Sequence, residues 1–114
     1  MKFTLEKTDD IVTIALKASL EGGPDTYQIR DDVKGKLGEG DRRFLLDMTD
    51  AGFVNSTGIG VVVSMLSSIK TAGGMLKVCG VSDRARRAFV TTGVLQLFDV
   101  YENKDEAVSA FNSA

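Results

Sequence analysis

The middle of the chain carries the stretch Phe53-Val54-Asn55-Ser56-Thr57-Gly58-Ile59-Gly60. It separates the apolar run Phe44-Leu45-Leu46 from a helical pattern that ends at Gly73-Gly74. Asn, Ser and Thr are residues preferred at the start of a helix. A helix start also presents unpaired backbone N–H groups and a partial positive charge, which favour an anionic group such as phosphate. Taken alone, the cluster is explained most simply as a helix cap.

Strand patterns and helix patterns alternate on both sides of this stretch. Apolar runs predict strands at residues 3–5, 11–16, 43–48, 75–81 and 97–101. Apolar residues at helical spacing predict four helices. The first runs from residue 24 to the glycines at 38–40, and the others span residues 57–72, 83–92 and 104–111. The order ββαβαβαβα predicts a single α/β domain, residues 1–114, with helices packed on a mixed sheet. Its strand–helix–strand units predict parallel strands after an opening hairpin. Asn55, Ser56 and Thr57 then follow the carboxyl end of a strand, where sites in such sheets gather.

The helix predicted at 57–72 has one broad apolar stripe. We expect the following residues to face the sheet: Ile59, Val62, Val63, Leu66 and Ile69. The outward face then carries Thr57, Val61, Ser64, Met65 and Ser68. An exposed Val61 and Met65 beside Ser56 would form the apolar centre of a partner site, or they are the scattered apolar residues that any protein surface carries.

Composition argues against several classes of function. The 114 residues are 43% apolar and 26% charged, ordinary values for a globular domain, and the net charge of −2 argues against a broad nucleic-acid footprint. The chain has no histidine, which removes the commonest general base and metal ligand. Its one cysteine, Cys79, allows neither a zinc site nor an internal disulfide, and its strand-like surroundings predict a buried thiol. We therefore expect no metal site and no catalytic site built on histidine.

Three further patterns bear on ligands and location. Gly58-Ile59-Gly60 is too short for a dinucleotide fingerprint and no P-loop is present, so no cofactor is expected. The outward residues Arg84, Arg86 and Arg87 could bind phosphate or an acidic partner, or simply form a solvated helix face. The N-terminus lacks a signal-peptide core, and no apolar run approaches the roughly 20 residues that span a bilayer. We expect a cytoplasmic protein that does not insert into membranes.

The order of elements and three motifs resemble the STAS domain, and specifically the bacterial anti-sigma-factor antagonists. The most specific match is Leu46-Asp47-Met48 followed by residues 53–60, which is similar to the family's strand ending in Leu-Asp and its Asp-Ser-Ser/Thr-Gly-Leu/Ile-Gly motif. Residues 73–81 are similar to the strand after the motif helix, and residues 93–98 to the approach to the last strand. The resemblance covers nearly the whole chain.

The resemblance implies a switch by reversible phosphorylation. In that family, the unphosphorylated antagonist binds an anti-sigma factor and frees the sigma factor. The anti-sigma factor is itself a serine protein kinase that phosphorylates the serine of the motif and so ends the binding, and a serine phosphatase reverses the modification. Carried onto this chain, the phosphoacceptor is Ser56, and the resemblance implies a kinase substrate and binding module that is not itself an enzyme. With the outward helix face added, the expected partner surface comprises Asn55, Ser56, Thr57, Gly58, Val61 and Met65.

Asn55 departs from the family, which usually has Asp at this position. The amide keeps the size and the capping ability of Asp but not its charge. Asn55 therefore favours one alternative, a STAS subunit that is not phosphorylated and works inside a signalling scaffold or a lipid-transport complex. A second alternative, a small nucleotide-binding domain, is favoured only by the predicted helix start.

Overall fold

Five strands form one sheet in the computed structural model, which describes residues 2–113. The elements are β1 (Phe3–Thr8), β2 (Ile11–Leu16), α1 (Pro24–Gly38), β3 (Arg43–Asp47), α2 (Ser56–Thr71), β4 (Met75–Cys79), α3 (Asp83–Thr91), a 3-10 turn (Leu95–Leu97), β5 (Asp99–Tyr101) and α4 (Lys104–Asn112). The terminal residues 1 and 114 of the predicted 1–114 domain lie outside the described residues. No helix within the described part of the chain is both long and apolar enough to cross a membrane.

The spatial order of the strands follows the chain, β1-β2-β3-β4-β5. β1 pairs antiparallel with β2, and every later pair is parallel. The predicted mixed sheet and the order ββαβαβαβα are therefore confirmed. The hairpin turns through Asp9 and Asp10, which have φ of 51° and 67°. A two-residue turn of this kind needs positive φ, and Asp is one of the few side chains that tolerates it.

Besides a longer first strand and a third strand that is one residue shorter, two predicted strands have different bounds in the structure. The strand predicted at 75–81 stops at Cys79, because Gly80 turns away with a φ of 70° and packs against Thr49 so closely that a side chain would not fit. The strand predicted at 97–101 begins only at Asp99, since Leu95–Leu97 forms the 3-10 turn that leads into it. Neither difference changes the sheet order.

The sheet separates a large core from a small one. Phe44 and Leu46 of β3 face the large core, which α1, α2 and α3 cover. Leu45, between them, faces the opposite side and packs with Cys79 and with α4. This alternation follows from the period-two side-chain pattern of a strand. A β-strand that faces a core on both sides reads as a continuous apolar run, as β3 does.

The predicted outward face of α2 is wrong for two residues. Val61 is 6% exposed and Met65 is 1% exposed, and both belong to the large core. The physical reason is that α2 packs on α1 as well as on the sheet, so its buried arc is wider than one stripe. Val63, predicted to face the sheet, is half-buried. The exposed positions of α2 are Ser56, Thr57, Gly60, Ser67, Lys70 and Thr71.

The thiol of Cys79 is buried in the small core, as predicted. Burial, together with the nearby Asp47 carboxylate, raises the pKa of Cys79 to about 12. A thiol is nucleophilic as its thiolate, so Cys79 is unreactive in the folded protein at neutral pH. It packs as a small apolar residue.

Met65→Ala should reduce the free energy of unfolding by about 2–5 kcal/mol, because it leaves a cavity in the core. Ser67→Ala, two residues further along α2 and exposed, is the matched control and should change stability by less than about 0.5 kcal/mol. Chemical denaturation of the two variants measures both values. Equal stability of the two variants would contradict the burial of Met65.

Candidate functional site

Two loops are joined at the carboxyl ends of β2 and β3. Leu20, after β2, forms a parallel bridge with Val54, before α2. The Leu20 N–H donates to the Phe53 carbonyl at 2.9 Å, and the Asn55 N–H donates to the Leu20 carbonyl at 3.1 Å. The Phe53 N–H also donates to Ser19 Oγ at 2.8 Å. These bonds fix the position at which α2 begins.

Asn55 caps α2 and ties it to the neighbouring loop at the same time. Its Oδ1 accepts a hydrogen bond from the Gly58 N–H at 2.9 Å, which is the geometry of an N-cap. Its Nδ2 donates to the Glu21 carbonyl at 3.1 Å. A carboxylate could make the first bond but has no hydrogen for the second. Both the oxygen and the nitrogen of the Asn55 amide are therefore hydrogen-bonded.

The glycines around the start of α2 have different roles. Gly58 is buried, and a Cβ there would collide with the backbone carbonyl of Leu20. Gly22, with a φ of 91°, lies against the Thr57 methyl group. Gly60 has no atom within 4 Å of the place a Cβ would occupy. Close packing at the helix start thus explains the glycine at position 58 but not the one at position 60.

Ser56 is the first residue of α2 and is exposed to solvent. The N–H groups of Gly58 and Ile59 are taken by the side chain and the carbonyl of Asn55. Among the hydrogen bonds of residues 2–113, the N–H groups of Ser56 and Thr57 have no partner. The Ser56 hydroxyl therefore stands beside two free donors at the positive end of a helix.

A groove of about 450 Å³ separates the start of α2 from α3. Phe53 and Ser56 line one side, and Arg84 and Arg87 line the other. The Arg84 guanidinium lies 4.8 Å from the centre of the Phe53 ring, in cation–π geometry. The contact between these arginines and the motif could not be predicted from the sequence, because it joins segments that are about 30 residues apart. Their spacing of three residues shows only that they share one helix face.

The structure brings together four of the six residues predicted for the partner surface. Asn55, Ser56 and Thr57 lie at the start of α2 with Gly58 directly beneath them. Val61 and Met65 do not join them, since both side chains point into the core. Within residues 2–113, no group of three Cys, Asp or Glu side chains is arranged to hold a metal ion.

The family model described as STAS domain matches residues 2–107. The protein BtrV of Bordetella bronchiseptica is 25% identical over 114 residues, which span 100% of this chain and 97% of BtrV. The anti-sigma-B factor antagonist of Listeria monocytogenes is 33% identical over 98 residues, which span 86% of this chain and 75% of that protein.

The Bacillus protein SpoIIAA has a similar fold in both of its solved states. Its unphosphorylated form superposes with a TM-score of 0.84 at 21% identity, covering 98% of this chain and 97% of SpoIIAA. Its phosphorylated form superposes with a TM-score of 0.75 at 22% identity, covering 96% of this chain and 98% of SpoIIAA. At this identity the likeness establishes the fold.

Gly58→Ala should lower the free energy of unfolding by about 1–3 kcal/mol, because the added methyl group forces the two loops apart. Gly60→Ala is the matched control on the same helix. It should stabilise the protein by about 0.5–1 kcal/mol, since alanine replaces glycine in open space within a helix. Thermal or urea unfolding of both variants measures the signs, and a neutral Gly58→Ala would rule out the close contact with Leu20.

Proposed function

The chain belongs to the STAS domain family, and we propose that it is an anti-sigma-factor antagonist whose binding is switched off by phosphorylation of Ser56. The relationship to the Listeria antagonist over 86% of the chain supports the first part. The single observation that supports the switch by phosphorylation is the position of Ser56. Its hydroxyl is exposed at the first turn of a helix, and hydrogen bonds to the backbone of Leu20 hold the start of that helix in place. The protein is a substrate of the kinase and performs no catalysis itself.

The reaction is carried out by the partner. A serine kinase that is also the anti-sigma factor transfers the γ-phosphoryl group of ATP to Ser56 Oγ, and its own base takes the hydroxyl proton. The chain supplies position alone, which suits a site without histidine. A serine phosphatase returns the hydroxyl. We place this cycle in the cytoplasm, where ATP and RNA polymerase are found.

The added phosphate would end binding by its charge. Phosphoserine carries about −1.5 to −2 charges at neutral pH. The free N–H groups of Ser56 and Thr57 favour that charge within the domain, so the fold tolerates it. A partner that covered Ser56 would have to remove water from the phosphate, which is costly unless the partner supplies matching donors. The switch therefore changes binding without unfolding the domain.

The partner surface differs from the one expected from the sequence. With Val61 and Met65 buried, the exposed side of α2 near Ser56 consists of small residues such as Thr57, Gly60 and Ser67. Small side chains allow a partner backbone to come close to the helix. We propose that the partner contacts Asn55, Ser56 and Thr57 and continues along Gly60, with the groove beside α3 at its edge.

A STAS subunit that is not phosphorylated remains the second candidate. It is favoured by Asn55, whose amide makes two structural hydrogen bonds and leaves no carboxylate for a kinase to recognise. A pull-down from the native host separates the candidates. The first candidate requires a captured kinase that modifies the chain in the presence of ATP, and the second requires a stable complex that ATP does not change.

Incubation with the captured kinase and ATP should add one phosphate to the wild-type chain, and Ser56→Ala should abolish the addition. Thr57→Ala is the matched control, because Thr57 is adjacent and also exposed, and it should leave the phosphate in place. Intact mass followed by peptide mapping measures both results. Phosphate on Ser64, Ser67 or Ser68 would contradict the assignment.

Asn55→Asp should change the rate of phosphorylation of Ser56 and leave the free energy of unfolding nearly unchanged. The substitution keeps the cap on Gly58 but loses the hydrogen bond to Glu21, which lowers the free energy of unfolding by about 0.5–1.5 kcal/mol. A carboxylate at a helix N-terminus raises the free energy of unfolding by about 0.3–1 kcal/mol, so the two effects nearly cancel. If the kinase recognises the family's carboxylate, Ser56 should be phosphorylated faster in this variant.

The close carboxylate would also repel the phosphate, so the native Asn55 chain should stay phosphorylated longer. Asn55→Gly is the uncharged control, since it loses both the bond to Glu21 and the cap on Gly58 without adding a carboxylate, and glycine at an N-cap costs only a few tenths of a kcal/mol. Rates of phosphorylation and dephosphorylation for the three chains decide the question. Identical rates in all three would show that residue 55 acts only on the structure of the helix start.

A further inference from the structure

Two arginines and no carboxylate are among the described residues that line the groove beside Ser56. Arg84 and Arg87 extend from α3 on one side, and Ser56 stands on the other. No Asp or Glu of the described residues lines this groove, and α2 has no acidic residue in its first turn. Asn55 adds to this, because the family motif would have placed a carboxylate at the same wall. The space next to the Ser56 hydroxyl is therefore positively charged and free of competing anions.

The two arginines are also available to a new anion. None of the ion pairs formed within residues 2–113 includes Arg84 or Arg87. Some other cations of the chain are paired, as Lys7 is with Asp41 at 2.7 Å. Arg84 is held toward the groove by its stacking on the Phe53 ring. An arginine already placed in this way loses less side-chain freedom when it binds phosphate.

We propose that Arg84 and Arg87 form an intramolecular receiver for the phosphate on Ser56. The guanidinium groups would pair with two of the phosphate oxygens across the groove, while the N–H groups of Ser56 and Thr57 face the third. The proposal rests on the phosphorylation of Ser56 proposed above. It adds that α3 holds the phosphate in the phosphorylated state.

The receiver has two consequences for the switch. The phosphate is held against α3, so one modification neutralises the charge of the groove and changes the edge of the partner surface on α2. The paired phosphate is also less open to a phosphatase, which should prolong the phosphorylated state. The helix start alone would produce neither effect, since its donors point along α2 and do not reach α3.

Phosphoserine incorporated at position 56 during translation allows a test that needs no kinase. The probe is the phosphorus NMR signal of the full-length chain, followed through a pH titration. Nearby cations favour the doubly charged phosphate and lower its second pKa. We expect the native chain to titrate about one pH unit below the same chain unfolded in urea, the size of shift that an opposite charge at close range produces.

Arg84→Gln combined with Arg87→Gln should abolish most of this shift. Arg86→Gln is the matched control, because Arg86 is exposed on the same helix but does not line the groove, and it should leave the shift unchanged. All three arginines are exposed, and thermal unfolding of the unphosphorylated variants checks that the fold is retained. A shift that survives the double substitution, or no shift in the native chain, would overturn the receiver.

This result is separable from the proposed function. Failure of every host kinase to modify Ser56 would contradict the proposed function while the titration still reported the receiver. Conversely, the chain could be phosphorylated on Ser56 in the host while the pKa shift of the phosphate does not depend on Arg84 and Arg87. That result would support the proposed function and contradict the receiver.

Discussion

The backbone of Leu20 is the constraint on which the site depends. Its N–H bonds to Phe53 and its carbonyl accepts from Asn55, so both polar groups of one residue are used to join two loops. The same carbonyl forms the wall against which Gly58 packs. A buried backbone group without a partner is costly, so the two loops are held in one arrangement and α2 starts at one place. The exposure of Ser56 follows from that fixed start.

A rigid helix start is what a phosphorylation switch of this type needs. The chain has no histidine to act as a base, and the proposed switch needs none, because a kinase would bring its own. What the chain must provide is a hydroxyl in a constant position and surroundings that accept both the neutral and the charged form. The free N–H groups of the first turn favour the charged phosphoserine, and exposure to water lets the unmodified hydroxyl form hydrogen bonds to solvent.

The sequence predicted the fold well because its signals are local. Apolar periodicity and turn residues fix the order ββαβαβαβα, and the Asn-Ser-Thr cluster marks the start of α2. The width of the buried face of α2 could not be predicted, since a helical stripe shows where burial is centred but not how many neighbours surround the helix. Packing on α1 therefore buried Met65 against expectation. The bond from Asn55 to Glu21 spans 34 residues and leaves no trace in the local pattern.

The charge balance at this end of the sheet gives the departure at Asn55 a physical meaning. A carboxylate at that position would offset part of the positive charge of Arg84, Arg87 and the helix start before any phosphate arrived. With an amide there, the unmodified site keeps its full positive character, and a phosphate of about −1.5 to −2 charges nearly cancels the two arginines. The phosphorylation that we propose would then convert a cationic groove into a nearly neutral one, a larger electrostatic change at the partner surface than a site already carrying a carboxylate would undergo. The neutral residue is in this sense compatible with a switch, and its second hydrogen bond explains why the amide also serves the fold.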